Sequence, residues 1–322
     1  MRKINILLGL SLVLACGCGL FRGVAEPTRA ERLRAKFDSA DTNYVFVALH
    51  RGDWRNHPEN SLSGIQGAIA MGGDIVEIDV AKTKDGHFVL SHDGKLDRTT
   101  DKTGKIKDLT LAEVRAARLK TNQGGSNATL TDERVPTLEE ALEACRGKIL
   151  VNIDKFHVDR EGMTAIIRKL GVERQVILKG HGDYEFVKKN TGAPWQYVED
   201  RAFIYMPIVG TGKNRKALAK AEAAVAAWQK APYAPPAYEV CIATEPPLKM
   251  FAGLKSDPNH PRIWINTLWD SLAHGHSESL KDGEFTADKV WGWCLGLGCT
   301  MIQTDRPADC IAYLESLGRH SL

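Results

Sequence analysis

Short apolar runs recur along the chain, and most are separated by stretches with helical spacing of apolar positions. The runs are Tyr44–Leu49, Asp74–Val80, Ile149–Ile153, Gln175–Leu178, Phe203–Ile208, Tyr238–Ile242, Ile263–Asn266 and Thr300–Gln303. Each is too short for a core helix and is rich in β-branched or aromatic residues, so each reads as a buried strand. Between them, Ser61–Met71, Leu138–Cys145, Arg160–Leu170, Arg215–Gln229 and Ala287–Leu295 read as helices. Eight strands alternating with helices predict parallel pairing through right-handed crossovers. For 322 residues a closed α/β (β/α)8 TIM barrel is the economical solution. A doubly wound open sheet is the alternative, but no glycine-rich dinucleotide fingerprint follows the first strand.

One run breaks the alternation. His87–Ser91 follows Val80 too soon for a crossover helix, and Asp85-Gly86 between two β-like runs is a hairpin signal. With those two residues as the loop, opposed positions sum to a constant that sets His92 against Asp79. The hairpin would then return His92 to the C-terminal rim of the barrel. Residues 101–134 are a polar excursion, with a helix expected over Leu109–Leu119 and a Gly/Ser/Asn-rich tip at Gln123–Thr129. Its length suits a lid or a wall of a pocket. Pro232–Pro236 reads as a linker.

The N-terminus looks like an export signal. Arg2 and Lys3 precede an apolar run from Ile4 to Ala15 that is short for a membrane span. Val13-Leu14-Ala15-Cys16 resembles a bacterial lipobox, which makes Cys16 the expected lipidation site. The expected organisation is a signal peptide over 1–16, a tether with a short helix over 17–42, and one barrel domain over 43–322. The protein is then exported and membrane-anchored on the periplasmic or cell-surface side. The rest of the composition, 43% hydrophobic and 26% charged, describes a globular body. A net charge of +3, partly from the leader, gives no reason to infer a nucleic-acid partner. Cys145, Cys241, Cys294, Cys299 and Cys310 lack zinc-type spacing. Buried thiols are the favoured reading, with a Cys294–Cys299 disulfide as the alternative.

The chemistry concentrates between Val47 and Asp93. Glu77 and Asp79 are two apart on a strand and so share a face. Paired carboxylates on a buried face repel unless a cation sits between them. A hard divalent ion, Ca2+ or Mg2+, suits such oxygen ligands. Asp154, at the end of Ile149–Asp154, is the candidate third ligand. His50 and His92 end β-like runs at the same rim and suit general acid–base work near neutral pH. Arg51 offers a guanidinium for phosphate oxygens. The plainer reading of Arg51 is a salt bridge to Glu59 or Asp53. Glu59 and Asn60 precede a helix, and either cap it or orient His50. Lys155 and Lys179 end successive strands and could neutralise a phosphate. His274-Gly-His276 lies in a loop without further ligands, and Asp305 and Arg306 either pair with each other or close the pocket rim.

These residues together resemble the glycerophosphodiester phosphodiesterase family. The resemblance rests on His50-Arg51-Gly52, Pro58-Glu59-Asn60, Glu77-Ile78-Asp79, His92-Asp93, Leu96-Asp97-Arg98-Thr99 and Thr304-Asp305-Arg306-Pro307, and covers roughly residues 44–318. It implies a (β/α)8 barrel that hydrolyses a glycerophosphodiester to glycerol 3-phosphate and an alcohol. It also implies one divalent ion on Glu77, Asp79 and a third carboxylate, with His50 and His92 as the acid–base pair and Arg51 on the phosphate. The family's third ligand is usually a glutamate in a Glu-x-Lys strand end. Here the strand ends Asn152-Ile153-Asp154-Lys155-Phe156, with a shorter carboxylate and Phe156 in the lysine's place. Lys155 or Lys179 then has to supply the lost charge. Two other readings compete: a lyase of the phospholipase C or D type acting on intact phospholipid, and a surface protein that binds phosphodiesters without turnover.

Overall fold

The structure is a computed structural model that describes residues 26–280 and 284–322. The leader and Cys16 lie outside the described residues. In chain order the strands are β1 (Phe46–Leu49), β2 (Ile75–Lys82), β3 (Phe88–Leu90), β4 (Arg118–Lys120), β5 (Leu130–Arg134), β6 (Leu150–Asp154), β7 (Val176–Gly180), β8 (Ile204–Gly210), β9 (Ala237–Cys241), β10 (Arg262–Asn266) and β11 (Met301–Thr304). Eight of them run in the parallel order β1-β11-β10-β9-β8-β7-β6-β2, and the β1–β2 pair closes the ring. All eight expected strands are present, within a residue or two of the expected bounds. Helices absent from the sequence expectation occupy Tyr184–Thr191, Trp195–Glu199, Leu248–Lys255 and Pro307–Ser316. Among the described residues, no helix is long and apolar enough to cross a membrane.

Strand alternation divides the side chains into two apolar layers. Val76, Ile78 and Val80 of β2 pack outward among the helices. Ile75 points inward with Phe46, Leu150, Ile177, Ile204, Met206 and Met301, forming an apolar floor at the N-terminal end of the barrel. Further along β2 the same inward face carries Glu77 and Asp79. The barrel interior therefore changes from apolar at its floor to charged at its mouth, which is where such barrels place their sites.

The short helix expected ahead of the barrel is α1 (Arg29–Asp38). Leu33 and Phe37 are buried in the floor cluster, and Thr28 and Glu31 form a capping box that starts the helix. Arg34 donates to the carbonyls of Arg174, Arg201 and Ala202, so α1 plugs the barrel's lower end. Two other expectations need correction. The hairpin register is shifted by one, with Val80 opposite Leu90 and Lys82 opposite Phe88. The loop holds three residues, not two: Gly86 takes φ +89 and its N–H donates to the Thr83 carbonyl, a turn that suits a three-residue connection. Ser91, whose N–H donates to the Asp79 carbonyl, stands where His92 was expected. Finally, the helix in the excursion covers only Leu111–Arg115. The chain then forms an antiparallel β4–β5 ribbon, with the Gly/Ser/Asn tip as its turn. This excursion buries its own cluster of Val89, Leu96, Ile106, Val114, Leu119 and Val135, so it is a packed wall beside the mouth. All five cysteines of the described residues are free thiols. The Cys299 thiol contacts the carbonyls of Ile263 and Met301 and forms no disulfide with Cys294.

Candidate active site

Parallel pairing of β2 with β6 sets Glu77 beside Asn152 and Asp79 beside Asp154. Carboxylate oxygens of Glu77, Asp79 and Asp154 lie within 4.8 Å of one another. The first two are buried and the third half-buried. Burial pushes the Glu77 carboxyl well above its ordinary range, and the neighbouring Asp79 charge adds to this. Burial also works against Asp79, but Lys155 and Arg51 outweigh it and hold that group low. Three converging carboxylates with one held reluctantly charged form an oxygen cage that a hard divalent cation would relieve. The donor set fits such an ion even with the shorter Asp154.

The departure at β6 has a structural answer. Lys155 takes the left-handed conformation, φ +61, which ends the strand abruptly. Its Nζ lies 3.3 Å from Asp79 Oδ1 and donates to the His92 carbonyl. Lys155 thus brings positive charge to the carboxylates, while Phe156 is buried. Lys179 lies deeper than expected. Its Nζ sits 3.1 Å from Glu239 and above the Trp264 ring. Burial opposes its charge, but Glu239, Asp154 and Glu77 together raise its pKa above that of an ordinary lysine. Trp264 is core, whereas Trp269 is half exposed and meets His50 edge-on at 5.7 Å.

Arg51 follows β1 in the left-handed region, φ +55. Its backbone N–H donates to Glu77 at 2.9 Å. Its guanidinium pairs with Glu59 at 3.0 Å and lies 3.4 Å from Asp79, with Nε buried and lacking a hydrogen-bond partner. Glu59 and Asn60 neither cap the helix nor orient His50. Ser61 caps Leu62–Ala70. Asn60 exchanges two hydrogen bonds with Asp79, at 3.0 and 2.9 Å, and Glu59 pairs with both Arg51 and Arg98.

Each histidine has its own carboxylate. His50 is buried, with Nδ1 2.8 Å from Asp305 Oδ1. Asp305 also accepts Trp54 Nε1 at 2.6 Å. Burial opposes its charge, but the bonds from His50 and Trp54 keep Asp305 below the usual carboxylate range. His92 is 42% exposed, with Nδ1 2.8 Å from Asp93. Arg98 grips Asp93 at 2.9 and 3.0 Å and, foremost among the causes, keeps it strongly acidic. In both cases Nδ1 is occupied, which leaves Nε2 to face the site.

Sequence reasoning missed Asp305 as the partner of His50, having left it either to pair with Arg306 or to close the pocket rim. It also missed Glu278. This buried carboxylate accepts Asp305 N–H at 2.7 Å, Trp291 Nε1 at 3.1 Å and the hydroxyls of Thr267 and Thr304. Burial pushes it up to about 7, against the Thr267 and Thr304 hydrogen bonds. Asp305 lay inside the Thr-Asp-Arg-Pro motif, so a signal existed; a lone glutamate in a polar loop carries none. His274 and His276 are away from this centre, and His276 stacks on Trp293.

A family model described as "Glycerophosphoryl diester phosphodiesterase family" matches residues 50–230. The chain belongs to that family. A second family model, described as a domain of unknown function, matches residues 205–314. The phosphodiesterase match includes both histidines and the three carboxylates. The chain is 37% identical over 145 residues to a glycerophosphodiester phosphodiesterase of Caldanaerobacter subterraneus subsp. tengcongensis, covering 45% of this chain and 56% of that one. It is 42% identical over 117 residues to glycerophosphodiester phosphodiesterase 1 of Mus musculus, covering 36% and 35%. These matches therefore span about half the relative's length or less. Among solved structures, a glycerophosphoryl diester phosphodiesterase from Parabacteroides distasonis superposes with TM-score 0.64 at 25% identity, covering 91% of this chain and 93% of that one. A phosphodiesterase of Oleispira antarctica, solved with the product sn-glycerol-3-phosphate, shares the fold with TM-score 0.57 at 15% identity, covering 86% and 99%.

Proposed function

We propose that this barrel is a metal-dependent glycerophosphodiester phosphodiesterase that releases glycerol 3-phosphate and an alcohol. The observation that carries the reading is the meeting, at one barrel mouth, of two carboxylate-held histidines and a three-carboxylate cage. A divalent ion, Ca2+ or Mg2+, held by Glu77, Asp79 and Asp154 would act as a Lewis acid toward the phosphate. The remaining work falls to the chain. Arg51 and Lys155 supply positive charge beside the phosphate, and Lys179 balances the carboxylates from below. His50, enclosed and fixed by Asp305, takes the proton from the attacking oxygen. His92, exposed and fixed by Asp93, gives a proton to the departing alkoxide. The attacking oxygen belongs to water or to the substrate's neighbouring hydroxyl, the second route passing through a cyclic phosphate.

Export and lipidation of Cys16 belong to the same reading and are supported by the leader sequence alone. A Cys16→Ala protein should lose its lipid and leave the membrane fraction. For the activity, the full chain in detergent is incubated with glycerophosphocholine and glycerophosphoglycerol, with glycerol 3-phosphate read by a coupled dehydrogenase. Release that stops with EDTA and returns with Ca2+ or Mg2+ supports the reading. A cyclic phosphate as sole end product would instead indicate a lyase.

A further inference from the structure

A groove of about 870 Å3 opens beside His92, a size that accommodates an organic ligand. Val158, exposed beside it, gives the groove an apolar floor, and Lys155 also lines it. The groove also carries Lys95, Lys105 and Lys107, contributed by the wall that follows the hairpin. The other cations along it are paired: Lys82 with Asp159, Lys155 with Asp79, and Arg98 with Glu59 and Asp93. Among the described residues, Lys95, Lys105 and Lys107 have no ion-pair partner. Lys95 and Lys105 moreover oppose each other in an antiparallel bridge, a juxtaposition that like charges disfavour. Asp97 also lines the groove and accepts Gly104 N–H at 3.1 Å. With three lysines against one carboxylate, the net unpaired charge beside the exposed histidine is positive.

The position of this charge relative to the two histidines decides what it meets. His50 is buried between Asp305 and Trp269. His92 opens directly on the groove, so the group it protonates departs along it. We propose that this groove seats the departing alcohol and selects glycerophosphodiesters whose alcohol itself carries a phosphate. The inference rests on the phosphodiesterase reading and names its substrate class. A second phosphate lying between Lys95, Lys105 and Lys107 would relieve their mutual repulsion, and the apolar floor would take the carbon backbone that joins the two phosphates. A cationic alcohol such as choline meets the wrong sign of charge.

The test compares three substrates with the full chain in detergent and saturating metal: bis(glycerophospho)glycerol, glycerophosphoglycerol and glycerophosphocholine. The first two differ by one glycerophosphoryl group on the leaving alcohol. The expected order of kcat/KM is bis(glycerophospho)glycerol first and glycerophosphocholine last, with the advantage of the first shrinking as salt is raised. K105A/K107A should lower kcat/KM for bis(glycerophospho)glycerol about fivefold, as two exposed charge contacts would, and leave glycerophosphoglycerol unchanged. K105E/K107E should bring glycerophosphocholine level with or above the anionic substrate. Equal kcat/KM for all three substrates, or equal losses on all three in the lysine variants, overturns the groove assignment while leaving the phosphodiesterase reading intact. No glycerol 3-phosphate from any of the three overturns both.

Discussion

Replacing Asp305 by asparagine should remove the counter-charge of His50 without disturbing the barrel. Asp305 accepts two hydrogen bonds, from His50 Nδ1 at 2.8 Å and Trp54 Nε1 at 2.6 Å. Its own N–H is held by Glu278, a bond the substitution leaves in place. Both bonds end on Oδ1, so an asparagine carbonyl can keep both acceptor contacts and the substitution removes chiefly the negative charge. The imidazolium that forms as His50 takes a proton then loses its counter-charge. A charge-assisted hydrogen bond of this kind contributes about 1.5–3 kcal/mol. At roughly 1.4 kcal/mol per tenfold, D305N should lower kcat by about 10- to 150-fold. KM should stay within about twofold, because Asp305 acts on the base and not on the substrate. Steady-state release of glycerol 3-phosphate at saturating metal measures both constants, with circular dichroism to confirm the fold. H50A/D305N should be no slower than H50A, since both substitutions disable one unit. Wild-type kcat in D305N, or a double variant slower than H50A by the full D305N factor, would refute the pairing as a catalytic device.

Glu278 sets a pH dependence of stability. Its carboxyl is raised from an ordinary 4.5 to about 7 in the fold, so its contribution is full below about pH 4.5 and is lost as pH rises through about 7. The change is on the order of 3 kcal/mol, and E278Q should flatten the wild-type decline in thermal stability across that window. If Asp154 is the third ligand of the proposed site, Asp154→Asn should weaken the apparent metal affinity by roughly 100-fold, measured by titrating Ca2+ or Mg2+ against the EDTA-treated protein calorimetrically. Phe37→Ala should cost about 3–5 kcal/mol in urea unfolding, because Phe37 is buried in the barrel floor; a loss under about 1 kcal/mol would contradict the packing of α1 into that floor.

The barrel was legible because each strand is a compact apolar run and most of them are separated by a helical pattern, although the helices Tyr184–Thr191 and Leu248–Lys255 were not read. Glu77 and Asp79 were legible for the same reason: period-two alternation puts them on one face, and parallel pairing brings Asp154 alongside. The misjudged hairpin register shows the limit of this reasoning. Asp85-Gly86 signals a turn, but whether two or three residues form it depends on the Thr83 side chain and on Gly86, which the pattern does not resolve. His92 still reaches the site, because Lys155 holds its carbonyl and Asp93 its ring. The β4–β5 ribbon was hidden by charged residues such as Arg118, Lys120, Asp132 and Arg134, which weaken a strand signal on an exposed ribbon. The roles of Asp305, Glu239 and Glu278 depend on contacts between distant elements, with Asp305 meeting a histidine 255 positions earlier. No local spacing encodes such a pairing. Lys155 illustrates a further gap: an aligned motif offered Phe156 in place of a lysine, and only the left-handed backbone at Lys155 reveals that the preceding side chain reaches the carboxylates.

The division of labour between the histidines can be tested with a leaving group that needs no proton. Glycerophosphoglycerol and the p-nitrophenyl ester of glycerol 3-phosphate are compared in wild type, H50A and H92A, with and without EDTA. H92A should fail on glycerophosphoglycerol and approach wild type on the nitrophenyl ester, while H50A should fail on both and EDTA should stop all turnover. Turnover that survives in H50A, persists in EDTA, or falls equally on both substrates in H92A would contradict a metal-dependent site in which His50 is the base and His92 the acid.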